Sequence, residues 1–335
     1  MKYRLLNGIK VSEIGMGCMG LSHGYGQIPS EEYSIEAIRK ALDYGCTFFD
    51  TAEAYSPNMQ GIGHNEIILG KALKGRREEA VIATKLHMST EEVNEKGVYQ
   101  TIRDHLMASM ERLQVSYVDL YYLHRVNRDL SMKEIAQAMG KMIDEGLIRG
   151  WGLSQVGIDT IKEAHEITPL SAIQNIYSMV ERSSEDEVIP YCMEHGIAVV
   201  PFSPVASGLL SGKVSVQTDF SHSDDVRKFV PQLSNENIDA NKPLLDLIQK
   251  YADEKKATMA QIALAWMLHK YPNIVPIPGS KNQERILENL KASEVVLTKK
   301  EFDLLDKTLD SIPVQGFRGH IEFQGDTMKD WGRRK

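Results

Sequence analysis

The stretch FFDTAEAY, Phe48–Tyr55, drives two aromatic residues into an aspartate and returns a tyrosine five positions later. An apolar lead that stops at a carboxylate has the form of a buried strand ending at a turn. With the strand of that stretch placed at Thr47–Phe49, similar runs recur at Ile14–Gly17, Val81–Thr84, Val118–Leu123, Ile148–Leu153, Ala172–Gln174, Ala198–Val200 and Ile274–Pro276. Amphipathic patterns lie between them. In SEEYSIEAIRKALDYG, Ser30 is a cap, Tyr33, Ala37, Ile38 and Ala41 share a face, and Gly45 is a stop. SMKEIAQAMGKMIDEG, Ser131–Gly146, repeats that unit, and Leu244–Lys270 reads as one or two more helices. About eight strands alternating with helices predict a single (β/α)8 TIM barrel. The competing open sheet is disfavoured because GMGCMG, Gly15–Gly20, matches a GxGxxG fingerprint only loosely and opens no helix.

Composition agrees with this and removes other classes. At 335 residues the chain fits two ordinary domains or one large α/β barrel. No Pro/Ser-rich linker or short repeat divides it, so residues 1–335 are read as one domain. The 42% hydrophobic and 25% charged content is that of a globular protein, and a net charge of −7 offers no footprint for nucleic acid. Cys18, Cys46 and Cys192 form no CxxC pair, which argues against a disulfide scaffold or structural zinc and fits a reducing compartment. The opening MKYRLLNGIKVSEIGMG lacks the apolar core of a signal peptide, and the longest charge-free run, Gly196–Gly212, is broken by prolines. The expectation is a cytoplasmic monomer with no membrane or nucleic-acid partner. Residues 1–13 read as a β-hairpin turning at Asn7-Gly8 and plugging the barrel bottom. Lys213–Asn241 is a long loop for the C-terminal face, and residues 313–335 form a tail, either partly disordered or lying over the barrel mouth.

Chemistry in a barrel collects at the strand ends, where the loops share one mouth. The polar residues at those ends are Asp50, Lys85, His124, Ser154-Gln155 and Gln174-Asn175, followed by PFSPVASGLL and PIPGSKNQER; Tyr55 reaches back over the same mouth. Alone, each has an ordinary reading: a turn aspartate, a packed tyrosine, a solvated lysine, a satisfied histidine. Their conjunction at successive strand ends is the informative feature.

Taken together, GCTFFDTAEAY, VIATK, VDLYYLHR, GLSQ, IQNIYS, PFSPVASGLLSG and IPGSKNQERILENL resemble, in order and almost end to end, the aldo-keto reductases. The likeness is greatest to a microbial and plant branch carrying GMGCMG near the start and IPVQG near the end. The resemblance implies metal-free, NADPH-dependent reduction of a small-molecule aldehyde or ketone. Hydride transfer leaves negative charge on the carbonyl oxygen, so a proton donor is needed there. Tyr55 is the expected donor. Its phenol, ordinarily near a pKa of about 10, would be lowered by Lys85, with Asp50 holding the ammonium and His124 orienting the carbonyl. By the same resemblance, Ser154, Gln155 and Gln174 hold the nicotinamide amide, and Phe202 stacks where many members have Tyr. Ser203, Pro204, Val205, Ser207, Gly208 and Leu209 line the diphosphate. Ser280, Lys281 and Arg285 take the 2′-phosphate, with Gly279 standing where some relatives are basic and Glu288 and Asn289 near the adenine. Ser56, where glycine is frequent, and Val205-Ala206-Ser207, where Leu-Gly-Arg is often found, depart from the pattern. Loops around Met19–Tyr25, Ser56–His64, His87–Met88, Arg125–Asn127, Val214–Asn241 and Phe317–Phe323 are the expected pocket walls.

Two other readings compete. One is an NADPH-binding sensor or accessory subunit with little turnover, against which the intact set Asp50, Tyr55, Lys85, His124 counts, since pure binding needs no aligned acid. The other is a metal-dependent barrel hydrolase, for which the sequence offers no paired-histidine strand.

Overall fold

The chain begins with an antiparallel hairpin, β1 (Tyr3–Leu6) and β2 (Ile9–Ser12), in register from Tyr3 opposite Ser12 to Leu6 opposite Ile9. Asn7 and Gly8 turn it with φ of 45° and 88°, the doubly positive pair that matches the twist of the flanking strands. The computed structural model describes residues 1–57 and 60–318. After the hairpin, β3 (Met16–Gly17), β4 (Phe48–Asp50), β5 (Val81–Leu86), β6 (Val118–Leu123), β7 (Ile148–Ser154), β8 (Ala172–Gln174) and β9 (Ala198–Val199) lie side by side in chain order. Every neighbouring pair is parallel.

Helices wrap the outside. In chain order they are α1 (Glu31–Asp43), α2 (His64–Leu73), α3 (Thr90–Lys96), α4 (Val98–Leu113), α5 (Met132–Asp144) and α6 (Ile158–Ile167), then α7 (Val188–Glu194), α8 (Asn235–Ala240), α9 (Lys242–Lys255), α10 (Met259–Lys270), α11 (Gln283–Leu290) and α12 (Lys299–Ser311). Ser30 and Ser131 cap α1 and α5 by accepting from the backbone N–H of Tyr33 and Glu134, as their position before the apolar face predicts. Leu244–Lys270 resolves into two helices. Lys256, at φ 51°, ends α9, and Thr258 with Gln261 forms a capping box that starts α10.

The eighth wall is the segment 273–279, and it is bonded unequally. Towards β9 it is complete: Val199 N donates to Asn273 O, Val275 N to Val199 O and Ile277 N to Pro201 O. Towards β3, Gly15 N donates to Pro276 O and Gly17 N to Pro278 O, and Gly17 bridges Gly279 in parallel. Pro276 and Pro278 stand at the positions facing β3 and have no N–H to give. The expected strand Ile274–Pro276 is therefore an extended segment closing a (β/α)8 barrel. The glycines of GMGCMG serve this closure: a Cβ on Gly17 would lie 2.8 Å from Ile277 O.

Alternation along the strands separates two cores. Phe48, Val81, Ala83, Leu120, Tyr122, Ala172, Ala198, Val200, Val275 and Ile277 fill the lumen, together with Leu6, Ile9 and Val11 of the hairpin. The plug expected of residues 1–13 is thus present, and burying each of its three apolar side chains contributes about 1.5–3 kcal/mol. Arg4 secures it, donating to Leu268 O at 2.5 Å, Tyr271 O at 2.7 Å and Ile274 O at 2.6 Å. The opposite strand faces, including Phe49, Ile82, Leu86, Tyr121, Leu123 and Ile173, pack under the helices. Gly152 makes room in the lumen, since a Cβ there would sit 2.5 Å from the Tyr122 ring and 2.3 Å from Ala172 O.

Residues 213–241 are not one open loop. They contain helical turns at Val226–Phe229 and Pro231–Leu233 and the helix α8, and buried Gln232 donates to Val180 O at 3.1 Å. Of the tail from Pro313, residues 313–318 are ordered against this segment, with Gln232 N donating to Phe317 O; residues 319–335 lie outside the described residues.

Candidate active site

The period-two alternation that fills the lumen also selects its top layer. Phe48, Ala83, Leu120, Tyr122, Ala172, Ala198 and Val200 point inward. Two residues further along these chains come Asp50, Lys85, His124, Gln174 and Phe202, which therefore face the mouth above the packed core.

Lys85, fully buried, is the hub of this layer. Its ammonium donates to Asp50 Oδ1 at 2.5 Å, Thr51 O at 2.6 Å and the Tyr55 hydroxyl at 3.2 Å. Asp50 is held from its other side, where Gln174 Nε2 donates to Oδ2 at 2.7 Å. Tyr55 reaches the hub because the loop after β4 is tied down. Thr51 Oγ1 donates to Asn65 Oδ1, and Asn65 Nδ2 donates to Cys18 O and Ser22 Oγ. Glu53 accepts from His87 N and pairs with His105 Nδ1.

Electrostatics follow from burial and this pairing. Burial alone would lower the Lys85 ammonium, but Asp50 and Tyr55 outweigh it and hold it charged. The expected lowering of Tyr55 is not what results: burial raises the phenol above its ordinary value, and Lys85 opposes that only in part. The phenol accordingly keeps its proton. Burial, then Arg125 and Lys85, press His124 well below the usual histidine range, so its imidazole is neutral.

Histidines surround Tyr55. The His124 ring meets it edge-on at 5.7 Å and His23 lies 5.3 Å away on a tilt, while His87 packs 4.4 Å from His124. Among the described residues, His124 Nδ1 and both ring nitrogens of His23 have no partner. Sequence reasoning placed His23, His87 and Arg125 only as parts of wall loops. What would have singled them out is their spacing: His23 follows the glycine turn after β3, and His87 and Arg125 each stand just past a strand-end residue.

The residues expected to hold a dinucleotide occupy the loops after β7, β8, β9 and the closing segment. Ser154 Oγ accepts from Arg125 Nη1 at 3.1 Å, and the buried Gln155 Oε1 has no partner. Gln174 spends its N–H on Asp50. Phe202 packs on the lumen core. Past Ser203 and Pro204 the backbone turns left-handed repeatedly, with φ of 53° at Ser203, 48° at Ala206, 55° at Ser207 and 102° at Gly208. Ser207 Oγ is buried without a partner. Val205 and Leu209 pack their side chains into the outer core, leaving only backbone for a ligand. Gly279 bridges to Gly17 across the barrel closure. Ser280 Oγ accepts from Asn282 N. Lys281 is engaged, donating to Tyr25 O and Gln27 O, each at 2.8 Å, whereas the Arg285 side chain is exposed on α11. Glu288 pairs with Lys213 at 3.4 Å, and Asn289 is buried in α11. Asn58 and Met59 of the loop after Tyr55 lie outside the described residues. Among the described residues no three His, Cys, Asp or Glu side chains are placed to hold a metal ion, and no helix is long and apolar enough to cross a membrane.

A curled parallel barrel with a lysine-centred polar layer at its mouth defines a class that the comparisons identify. The aldo/keto reductase family model matches residues 13–310. The chain is 35% identical over 328 residues to a probable aldo-keto reductase 1 from Glycine max, covering 97% of this chain and 92% of that one. Among solved structures it superposes on a glycerol dehydrogenase from Gluconobacter oxydans with a TM-score of 0.81 at 26% identity, covering 92% and 95% of the two chains. An aldo/keto reductase from Klebsiella pneumoniae, solved with NADP and acetate, gives 0.70 at 26% identity over 94% and 97%. The protein belongs to the aldo/keto reductase family.

Proposed function

We propose that this protein reduces aldehydes and ketones to alcohols with NADPH, using Tyr55 as proton donor. The observation that carries the reading is the Lys85 hub, a buried ammonium hydrogen-bonded at once to a carboxylate and a phenol. The family membership and the NADP bound to the Klebsiella relative support it. The residues present also fit such a cofactor. Gln155 Oε1 and Ser207 Oγ are buried polar atoms with no partner among the described residues, and the left-handed turn at Ser203–Gly208 is the kind of backbone that cradles anions.

When bound, the cofactor supplies the hydride. Ser154 and Gln155 orient its amide, Phe202 offers a face to the ring, and Arg285 offers a cation to the 2′-phosphate. Neutral His124 donates a hydrogen bond to the carbonyl oxygen and fixes its direction. As charge grows on that oxygen, Tyr55 gives up its proton to a base stronger than phenolate. The Lys85 ammonium then stabilises the phenolate left behind, and Asp50, braced by Gln174, keeps the ammonium in place. The four residues act as one proton-delivery unit on a small-molecule carbonyl, within one domain spanning residues 1–335 and acting as a monomer.

The test is the 340 nm absorbance decay of NADPH with a panel of aldehydes, using wild type and Tyr55→Phe side by side. Decay in the wild type alone supports the reading. NADPH binding without decay in either would replace it with a sensor or accessory role.

A further inference from the structure

Arg318 is a buried guanidinium that faces no carboxylate among the described residues. It is 6% exposed, its Nε donates to Ser203 Oγ at 3.1 Å, and Tyr25 lies beside the guanidinium. Among the described residues no Asp or Glu side chain pairs with the guanidinium. Burying a cation without a counter-charge is costly, so such groups are found paired or facing a ligand.

The position is built. Asn241 and the Gln315 backbone exchange two amide hydrogen bonds, each 2.9 Å. Phe317 O accepts from Gln232 N, and the Glu181 carboxylate lies close to the Arg318 backbone. The main chain is thereby fixed with the side chain turned inward, bridging the loop after β3, at Tyr25, and the loop after β9, at Ser203. Ser203 opens the left-handed turn whose Ser207 hydroxyl, 8% exposed, has no partner. Such turns gather backbone N–H groups around an anion. Two independent features, a buried cation facing no described carboxylate and a left-handed turn able to gather N–H groups, meet at Ser203.

We propose that Arg318 supplies the counter-charge for the diphosphate bridge of the bound dinucleotide, as a clasp delivered by the C-terminal segment. The inference rests on the proposed NADPH binding. The guanidinium offers donors in a fixed plane, suited to two oxygens of a phosphate. Because Arg318 also reaches Tyr25, it closes over the ligand from the β3 side to the β9 side, and release requires the clasp to lift.

The experiment is a fluorescence titration of NADPH onto the full chain as wild type, Arg318→Gln and Arg318→Lys, repeated with adenosine 2′-monophosphate, which lacks the diphosphate. Arg318→Gln is expected to weaken NADPH by about 10- to 100-fold and to flatten its salt dependence. Arg318→Lys should recover part of the loss, and adenosine 2′-monophosphate should bind all three alike. Unchanged NADPH affinity in Arg318→Gln overturns the inference and leaves the proposed function standing. Equal losses for both ligands would make Arg318 a structural tie. A rise confined to the KM of carboxylate-bearing aldehydes, with NADPH affinity intact, would assign it to substrate instead. Failure of the wild type to bind NADPH would remove the proposed function and this inference together.

Discussion

Gln174 and Asp50, at the ends of β8 and β4, are joined across the barrel mouth by a 2.7 Å hydrogen bond from the glutamine amide to Oδ2. The carboxylate is thus occupied on both oxygens, since Oδ1 takes the Lys85 ammonium. The pair is a buried ion pair with its remaining acceptor satisfied, the condition under which such a pair is tolerated.

Removing one partner should therefore cost far more than removing both. Asp50→Asn or Lys85→Met alone is expected to destabilise by about 3–5 kcal/mol, because each leaves a charge buried and unpaired. The double variant should recover a large part of that loss. Urea unfolding of the four proteins measures it, and additive losses would show that the pair is not coupled.

Tyr55→Phe removes the proposed proton donor and little volume. Turnover should fall by about 10²- to 10⁴-fold, with NADPH affinity and melting temperature near wild type. Steady-state kinetics beside a binding titration separate these effects; retained turnover would take Tyr55 out of the role.

Lys281 and Arg285 should behave differently, although the sequence paired them. Arg285 is exposed and free to meet a 2′-phosphate, so Arg285→Ala should weaken NADPH and leave NADH unchanged. Lys281 also ties the Tyr25–Gln27 loop through two carbonyls, so Lys281→Ala should weaken both cofactors. Titrating both variants with NADPH and NADH decides it, and identical selectivity would contradict the distinction.

Acid should destabilise the fold through its histidines. Burial presses His124 well below its unfolded value, and His23 and His87 are lowered as well, again chiefly by burial. The unfolded chain takes up these protons near pH 6.5 while the folded chain refuses them. Their contribution is full above that pH and drains as pH falls towards the lower folded values, by at most about 1.4 kcal/mol per pH unit for each group. His105, raised by its hydrogen bond to Glu53, runs the other way, its contribution being lost as pH rises through the folded value. His124→Asn should shallow the fall in urea midpoint between pH 7 and 5.5; an unchanged slope would mean that His124 titrates normally.

The fold was legible where local signals agree with the tertiary demand. Val118–Leu123 and Ala172–Gln174 have the same bounds in sequence and structure, because a short, mostly apolar run between turn signals has few alternatives. The last wall was legible only as an extended segment: the absence of N–H at Pro276 and Pro278 is plain in the sequence, but which neighbour it deprives depends on register. For the site, strand-end position located Asp50, Lys85 and His124. What it could not give was the balance of burial against charge at Tyr55, which reverses the expected direction of its pKa, or the engagement of Lys281 by Tyr25 and Gln27. Arg318 was hidden within a stretch of tail, since its burial depends on contacts with Gln232, Asn241 and Glu181 far away in the chain.

The unequal bonding of the closing segment makes the barrel a ring with a seam. Six of its joints are zipped by strand pairing and the seventh, to β9, by donors and acceptors in both directions, while in the join to Gly15–Gly17 the two prolines can only accept. Local opening begins where such bonds are fewest. Local opening is therefore expected first between the first and last walls, next to Gly279 and the start of the segment that carries Lys281 and Arg285.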